Sequence, residues 1–415
     1  MGYETLKDKI TKGKKITTDF IYNIIATILS TGILQIVIYP YLATKFSSDI
    51  YGQLLTIMGI ANILTVAIGG GLNNAHLIQL NFYEKNEAAG DFNSLLFIST
   101  AIGTLTWAVM LLFSFNIKGI SLLLLLLYVC IGILENYLVV AYRIDIDYKA
   151  NLFYNILMST GYLIGIPIAV FCRNWCIAFL CGELTGFIYL LRSTALYKIK
   201  PQKSSLIKKT SRVYLGLLFT TLIVQAVNYL DRFFLYPILG GEQVTVYTVS
   251  SFVGKSIGLL VTPIAGVLLS YYAKGSFVMT VKRYWIINVS ILAAGIICGI
   301  CIVVAGPWIT KILYPTVITD AERYLIMAND ASLISALTSI LLPSVLKFAN
   351  VLWQIIIQTS YAILYLLMGY IAVKQHGLWG FCVATLIVNI LRMLFLVAIG
   401  HFSILKREKK NVGKS

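Results

Sequence analysis

Charge is the scarcest property of this sequence. Of its 415 residues only 12% are Asp, Glu, Lys or Arg, against about 25% in soluble domains. Seventeen are acidic and three are histidine, too thinly spread for paired-carboxylate or histidine-dependent catalysis in a soluble segment. No glycine-rich phosphate loop, HExxH pair or nucleophile elbow occurs. The seven cysteines show no paired CxxC spacing, since Cys298 and Cys301 stand alone at that interval without accompanying histidines, and lie almost wholly within or beside apolar runs, so they read as small packing residues. These absences exclude the soluble enzyme classes and call for no cofactor and no metal. The net charge of +16 does not point to nucleic acid as a partner, because the basic residues fall between apolar runs and form no stripe on a folded domain. They fit lipid headgroups and membrane topology instead.

What remains is apolar. With 59% of its residues hydrophobic, the chain has more apolar surface than a water-soluble fold can hide. Hydrocarbon offers no partners to backbone amides and carbonyls, so each spanning segment must close its own hydrogen bonds, and a helix does so in about 20 residues. The apolar runs predict twelve helices, over 19–42, 53–80, 92–115, 120–142, 151–171, 176–191, 213–239, 244–272, 284–305, 324–348, 351–373 and 378–402. The lysine-rich stretch before the first run lacks a small-residue cleavage site and leads into a run too long for a signal peptide, so the first helix is expected to be retained.

The expected fold is all-α and polytopic, with about twelve transmembrane helices in two six-helix lobes. Residues 1–191 form the first lobe, 192–212 a basic linker without an acidic residue, and 213–415 the second lobe with a basic tail. Most Lys and Arg fall on one side when both termini are placed in the cytoplasm. The halves are weakly alike. IVIYPYLATKFSSDIYGQLL near the first helix and RFFLYPILGGEQVTVYTVSS near the seventh each set a Tyr-Pro before a short loop and a tyrosine in the next helix. An even number of spans per half implies a parallel repeat, with a central cavity between the lobes.

Polar residues run in stripes. Thr221, Gln225, Asn228 and Arg232 recur at steps of four, three and four, which places them on one face of a continuous helix. Thr248, Ser251, Lys255, Gly258 and Thr262 repeat the device on the eighth helix. Asn23, Thr27, Thr31 and Gln35 do so on the first. Lys255 lies about 16 Å into its predicted helix, near mid-bilayer, where an ionisable group costs about 2.5–3.5 kcal/mol and normally faces protein or an aqueous path. The substrate-binding candidates are therefore Arg232, Lys255, Gln225, Asn228, Ser251, Thr248 and Gln35. Glu135, Asp231 and Asp330 are candidates for ion coupling, each also readable as a structural acid, and Glu183 is a weaker one. Arg392 is positioned to snorkel toward headgroups. Gly69, Gly70 and Gly71, followed by Asn73 and Asn74, mark a hinge or a close helix crossing.

The order of these features resembles the polysaccharide-export branch of the multidrug and oligosaccharidyl-lipid flippase superfamily, the Wzx-type flippases of O-antigen and capsule repeat units. The segments carrying the likeness are the Tyr-Pro and IYGQL near the first two helices, NYLDRFFLYPILGGEQVTVYT, PWITKILYP followed by TDAERYL, and GLWGFCVATLIVN. The resemblance implies two six-helix bundles in alternating access, moving undecaprenyl-pyrophosphate-linked repeat units across the bacterial inner membrane. It also implies a polysaccharide polymerase and chain-length proteins as partners, beside the lipid-linked substrate and membrane lipids. Arg232 and Lys255 would then offset the charge of the pyrophosphate, with Gln225, Asn228, Thr248 and Ser251 toward sugar hydroxyls. A cation-coupled drug antiporter of the same MATE-like fold is the alternative.

Overall fold

The computed structural model describes residues 21–412 except 23, 27, 87–89, 274–278 and 350. Among the described residues the chain is helical nearly throughout and contains no strand. We label the helices α1 (Ile24–Lys45), α2 (Ser48–Leu80), α3 (Asp91–Ser114), α4 (Gly119–Ile144), α5 (Tyr148–Phe171), α6 (Cys176–Ser193), α7 (Ile207–Asn228), α8 (Leu230–Ser250), α9 (Phe252–Ala273), α10 (Val281–Leu313) and α11 (Leu325–Phe348). The final helical run, Val351–Val412, is two helices joined at Gly377, α12 (351–376) and α13 (378–412). Among the described residues ten runs are long and apolar enough to cross a membrane, the last of them spanning both α12 and α13. The protein is a polytopic, multi-pass membrane protein.

The backbone departs from regular helix where the sequence demands it. Tyr39 and Pro40 lie inside α1, not at its end, because the helix runs on to Lys45. Proline supplies no N–H and crowds the carbonyl four residues back. The turn before it, Ile33–Ile38, widens into a π-helix, and the Tyr39 N–H bonds Leu34 O instead. A second π-segment, Val66–Gly70, interrupts α2. There a Cβ on Gly69 would fall 2.3 Å from Ile133 O on α4, so the glycine run combines a helix irregularity with a close crossing. The predicted seventh helix does not run unbroken to residue 239. It starts at Ile207, stops at Asn228, and Tyr229 takes a non-helical conformation before α8 begins. Pro237 lies within α8, and the chain turns at Gly240, whose φ of 81° only glycine adopts without strain.

The chain divides into two compact units. The first comprises 1–45 and 54–232, the second 46–53 and 233–415. In the first, α5 packs along α6, α4 against both α3 and α6, and α7 against the second half of α2. Helix α7, which the division of the sequence assigns to the second half, is held in the first unit by Tyr214 Oη donating to Ile68 O at 3.3 Å. Gly71 adds to this, since a Cβ there would lie 3.2 Å from the Leu218 backbone. In the second unit α11 packs against α9, α10 and the α12–α13 pair. Its interior includes Leu341, Val345, Ile357, Leu396 and Ile399.

Residues 194–206 are fastened to the first unit. Asn93 Nδ2 donates to the carbonyls of Leu196 and Ile199 at 2.9 and 2.7 Å, and Ser94 Oγ to that of Gln202 at 2.8 Å. The buried Asp91 carboxylate accepts from Ser204 N at 2.7 Å, from Ser204 Oγ, and from Tyr83 Oη at 2.7 Å. Thr210 Oγ1 lies 2.6 Å from Tyr83 Oη and donates to Gln79 Oε1 at 2.7 Å.

Candidate functional site

The first unit brings two acids together that lie 48 positions apart in sequence. Glu135 on α4 and Glu183 on α6 are both buried and interact electrostatically. Glu183 Oε1 accepts from Tyr162 Oη on α5 at 2.8 Å. Both carboxyl oxygens of Glu135 are enclosed without a hydrogen-bond partner, and Tyr154, also on α5, interacts with it electrostatically. Gly186 makes room for the pair and Gly132 borders it. A Cβ on Gly186 would lie 2.7 Å from Glu135 Oε1, and one on Gly132 would lie 3.6 Å from Glu183 Oε2. Tyr128 is the third phenol facing the pair. Like charges this close in a low-dielectric interior repel, and three phenols are the polar groups set against them. Among the described residues no group of three or more His, Cys, Asp or Glu is arranged to hold a metal ion.

Arg232, also in the first unit, is buried and donates from Nη1 to Leu55 O at 2.9 Å. Its guanidinium carbon lies 5.3 Å from the centre of the Tyr229 ring. The break at Tyr229 separates Arg232 from Thr221, Gln225 and Asn228, so the four do not share one continuous helical face. Asn228 Nδ2 donates to Gln225 Oε1 at 2.9 Å near the open end of α7. Asp231 is buried, and Gln35 is half-buried in the first π-segment. Asn23 and Thr27 of the α1 stripe lie outside the described residues.

In the second unit Lys255 is half-buried, with its ammonium 5.0 Å from the centre of the Tyr247 ring. Tyr247 meets Phe381 edge to face at 5.1 Å, and Phe381 in turn meets Tyr365 at 5.8 Å. Ser251 is fully buried and turns its hydroxyl to the carbonyls of Tyr247 and Thr248 on its own chain. Thr248 Oγ1 is enclosed without a partner. Asp330 is half-buried on α11. Its neighbour Asn329 accepts from Gly254 N at 2.8 Å. A cleft of about 490 Å³ opens beside the Gly377 turn, lined by Met368, Ile371, His376, Trp379, Val383 and Ile387, and holds none of the residues singled out from the sequence.

With these positions fixed, the chain was compared with known proteins. No protein-family model matches the sequence, and no curated protein matches it. Solved structures do. A lipid II flippase MurJ in an inward closed conformation aligns at a TM-score of 0.67 and 15% identity, over 94% of this chain and 87% of that one. A Vibrio cholerae MATE transporter aligns at 0.65 and 12% identity, over 95% and 97%. A MATE family transporter of the MOP superfamily, outward-facing, aligns at 0.60 and 15% identity, over 94% and 96%. The fold is that of the MATE and MurJ transporters.

Sequence reasoning missed two features of this MATE- and MurJ-like chain. It treated Glu135 and Glu183 as separate acids, although each lies mid-way along an apolar run, the one signal that could have paired them. It also passed over Asp91, whose place directly after Gly90 and before an apolar run is an ordinary mark of a helix start.

Proposed function

We propose that this chain is a flippase that moves an undecaprenyl-pyrophosphate-linked oligosaccharide, an O-antigen or capsule repeat unit, across the bacterial inner membrane by alternating access. It is a transporter in this reading, multi-pass, with both termini cytoplasmic, and the polymerase and chain-length proteins of the same pathway are its partners. Support comes from the fold, which one flippase of lipid II and several MATE transporters share, and from one observation within the second unit. There Lys255 is held half-buried against Tyr247 in a helix that carries no other charged residue. A cation in such a place suits an anionic passenger, because its charge offsets the desolvation of phosphate oxygens. Arg232 is a second candidate for that role, examined separately because its Nη1 is committed to Leu55 O.

The Glu135–Glu183 pair supplies the coupling element of this proposal, with protonation of the pair tied to the transport cycle. Asp231 and Asp330 are further acids for the same test. A cation-coupled drug antiporter is the second reading, favoured by that acid pair. Complementation separates the two. The native gene is deleted and restored with wild type, Lys255→Ala, Lys255→Arg or Arg232→Ala at matched membrane levels, and surface polysaccharide is scored. The flippase reading expects loss on deletion, at least a tenfold deficit with Lys255→Ala, and rescue by Lys255→Arg. Polysaccharide unchanged by deletion would overturn it and bring the antiporter forward.

A further inference from the structure

Arg392 is a membrane charge that the reading above leaves unused. It stands fifteen residues beyond Gly377 on α13, about 22 Å along the helix, within a run apolar enough to span a bilayer. Two side chains of α12 meet it. Nη2 donates to Gln358 Oε1 at 3.1 Å, and the guanidinium carbon lies 4.3 Å from the centre of the Tyr361 ring. Its Nε is enclosed and has no acceptor. Among the described residues no carboxylate pairs with it.

A guanidinium carries five N–H donors and a permanent charge. One amide oxygen and one ring face are neutral and leave that charge uncompensated. Three residues earlier, on the same face of α13, Asn389 is in the complementary condition. Its Nδ2 donates to Ala331 O at 3.0 Å, while its Oδ1 is enclosed without a donor. Together the two side chains lack an anionic acceptor and a hydrogen-bond donor. A phosphate ester with a hydroxyl beside it supplies both, and paired phosphate oxygens match the planar fork of arginine.

We propose that Arg392, with Gln358, Tyr361 and Asn389, is a receptor within the second unit for the phosphate group of a lipid. Two lipids carry that chemistry: the transported pyrophosphate lipid, which rests on the flippase reading, and phospholipid of the surrounding bilayer, which does not.

The test uses the purified full-length protein, with binding measured by native mass spectrometry. The probes are undecaprenyl pyrophosphate, phosphatidylglycerol and, as neutral controls, undecaprenol and diacylglycerol. Wild type is expected to bind a phosphate-bearing lipid at least tenfold tighter than its neutral counterpart. Arg392→Gln should lower that preference at least threefold, leaving whatever binding Lys255 and Arg232 contribute under the flippase reading, and Arg392→Lys, which keeps the charge but loses the fork, should lower it less. Preference for undecaprenyl pyrophosphate alone, lowered by Arg392→Gln, assigns the receptor to the passenger. Equal or greater preference for phosphatidylglycerol assigns it to bilayer lipid. The proposal is overturned if wild type shows no preference for phosphate, or if Arg392→Gln, melting like wild type without lipid, keeps it undiminished. Should Arg392→Gln misfold, retention of full preference by Arg392→Lys together with Tyr361→Phe and Asn389→Ala overturns the built site. None of these outcomes decides the flippase reading, which the complementation experiment judges independently.

Discussion

Gly52 and Gly241 are in backbone contact: a Cβ placed on Gly52 would fall 1.8 Å from the Gly241 carbonyl oxygen, and one on Gly241 would fall 2.4 Å from Asp49 O. Thr245 Oγ1 secures the same approach by donating to Ser48 O at 2.6 Å. The two segments that meet here, SDIYGQ and GGEQVT, are the parts of the chain whose likeness suggested an internal repeat.

Gly52→Ala should therefore lower stability by at least about 2 kcal/mol, since both clashing partners are backbone and cannot rotate away. Gly240→Ala provides the contrast. Its Cβ meets nothing within 4 Å, so only the positive φ is penalised, by about 1–2 kcal/mol. Thermal unfolding in detergent would rank the two, and equal melting temperatures would show that the close approach does not constrain the fold.

Glu135→Gln and Glu183→Gln each remove one of two acids that repel when ionised, while keeping shape and hydrogen-bonding capacity. Each variant should reach the membrane at wild-type level and unfold at the same or a higher temperature. Transport in vesicles should lose its response to an imposed proton gradient, by a factor of ten or more. A gradient response equal to wild type in both variants would remove the pair from the coupling role.

Asp91→Ala should release residues 194–206. The carboxylate accepts three hydrogen bonds, and bonds to a charged group contribute about 1.5–3 kcal/mol each. Part of that is recovered by water near the membrane surface, leaving an expected loss of about 2–4 kcal/mol. Limited trypsin digestion would report it, because Lys198, Lys200 and Lys203 are exposed and should become faster cleavage sites in the variant. An unchanged digestion rate would show that Asp91 is not the fastening point.

Tyr83 makes the same latch sensitive to alkali. Burial pushes its hydroxyl above the ordinary tyrosine value of 10.0. An acid whose folded value is raised holds its proton better in the folded state, so the folded state loses ground as pH rises past the unfolded value. Cleavage within 194–206 should accelerate above pH 10 in wild type. In Tyr83→Phe, which cannot ionise there, that acceleration should be weaker, and an identical pH dependence would place the sensitive group elsewhere.

Much of the architecture was legible because spanning helices are local objects. A run such as 151–171 must satisfy its backbone within itself, so its apolar length announces it, and the observed helix, Tyr148–Phe171, differs by one turn at most. Boundaries failed where a single residue competes with the helix. Pro40 was read as an end and is instead absorbed by the π-segment before it. Tyr229 carries no breaking signal of its own, yet the chain bends there, and the apparent face joining Asn228 to Arg232 disappears.

The chemistry was less legible than the helices. That the chain spans a membrane many times, and that Lys255, Arg392 and Glu135 lie in apolar runs, follows from the sequence alone, since charge is so scarce that each instance stands out. Which of these residues meet others was decided by tertiary packing. Glu183 lies near Glu135 where Gly186 on α6 leaves room for the Glu135 carboxyl, and a small residue on one helix says nothing of what the neighbouring helix will place against it. Arg232 bonds a backbone carbonyl, a partner that no side-chain pattern records. Periodicity identifies one helix and its faces, whereas a pairing depends on the crossing of two helices, which is set by side-chain volumes distant in sequence.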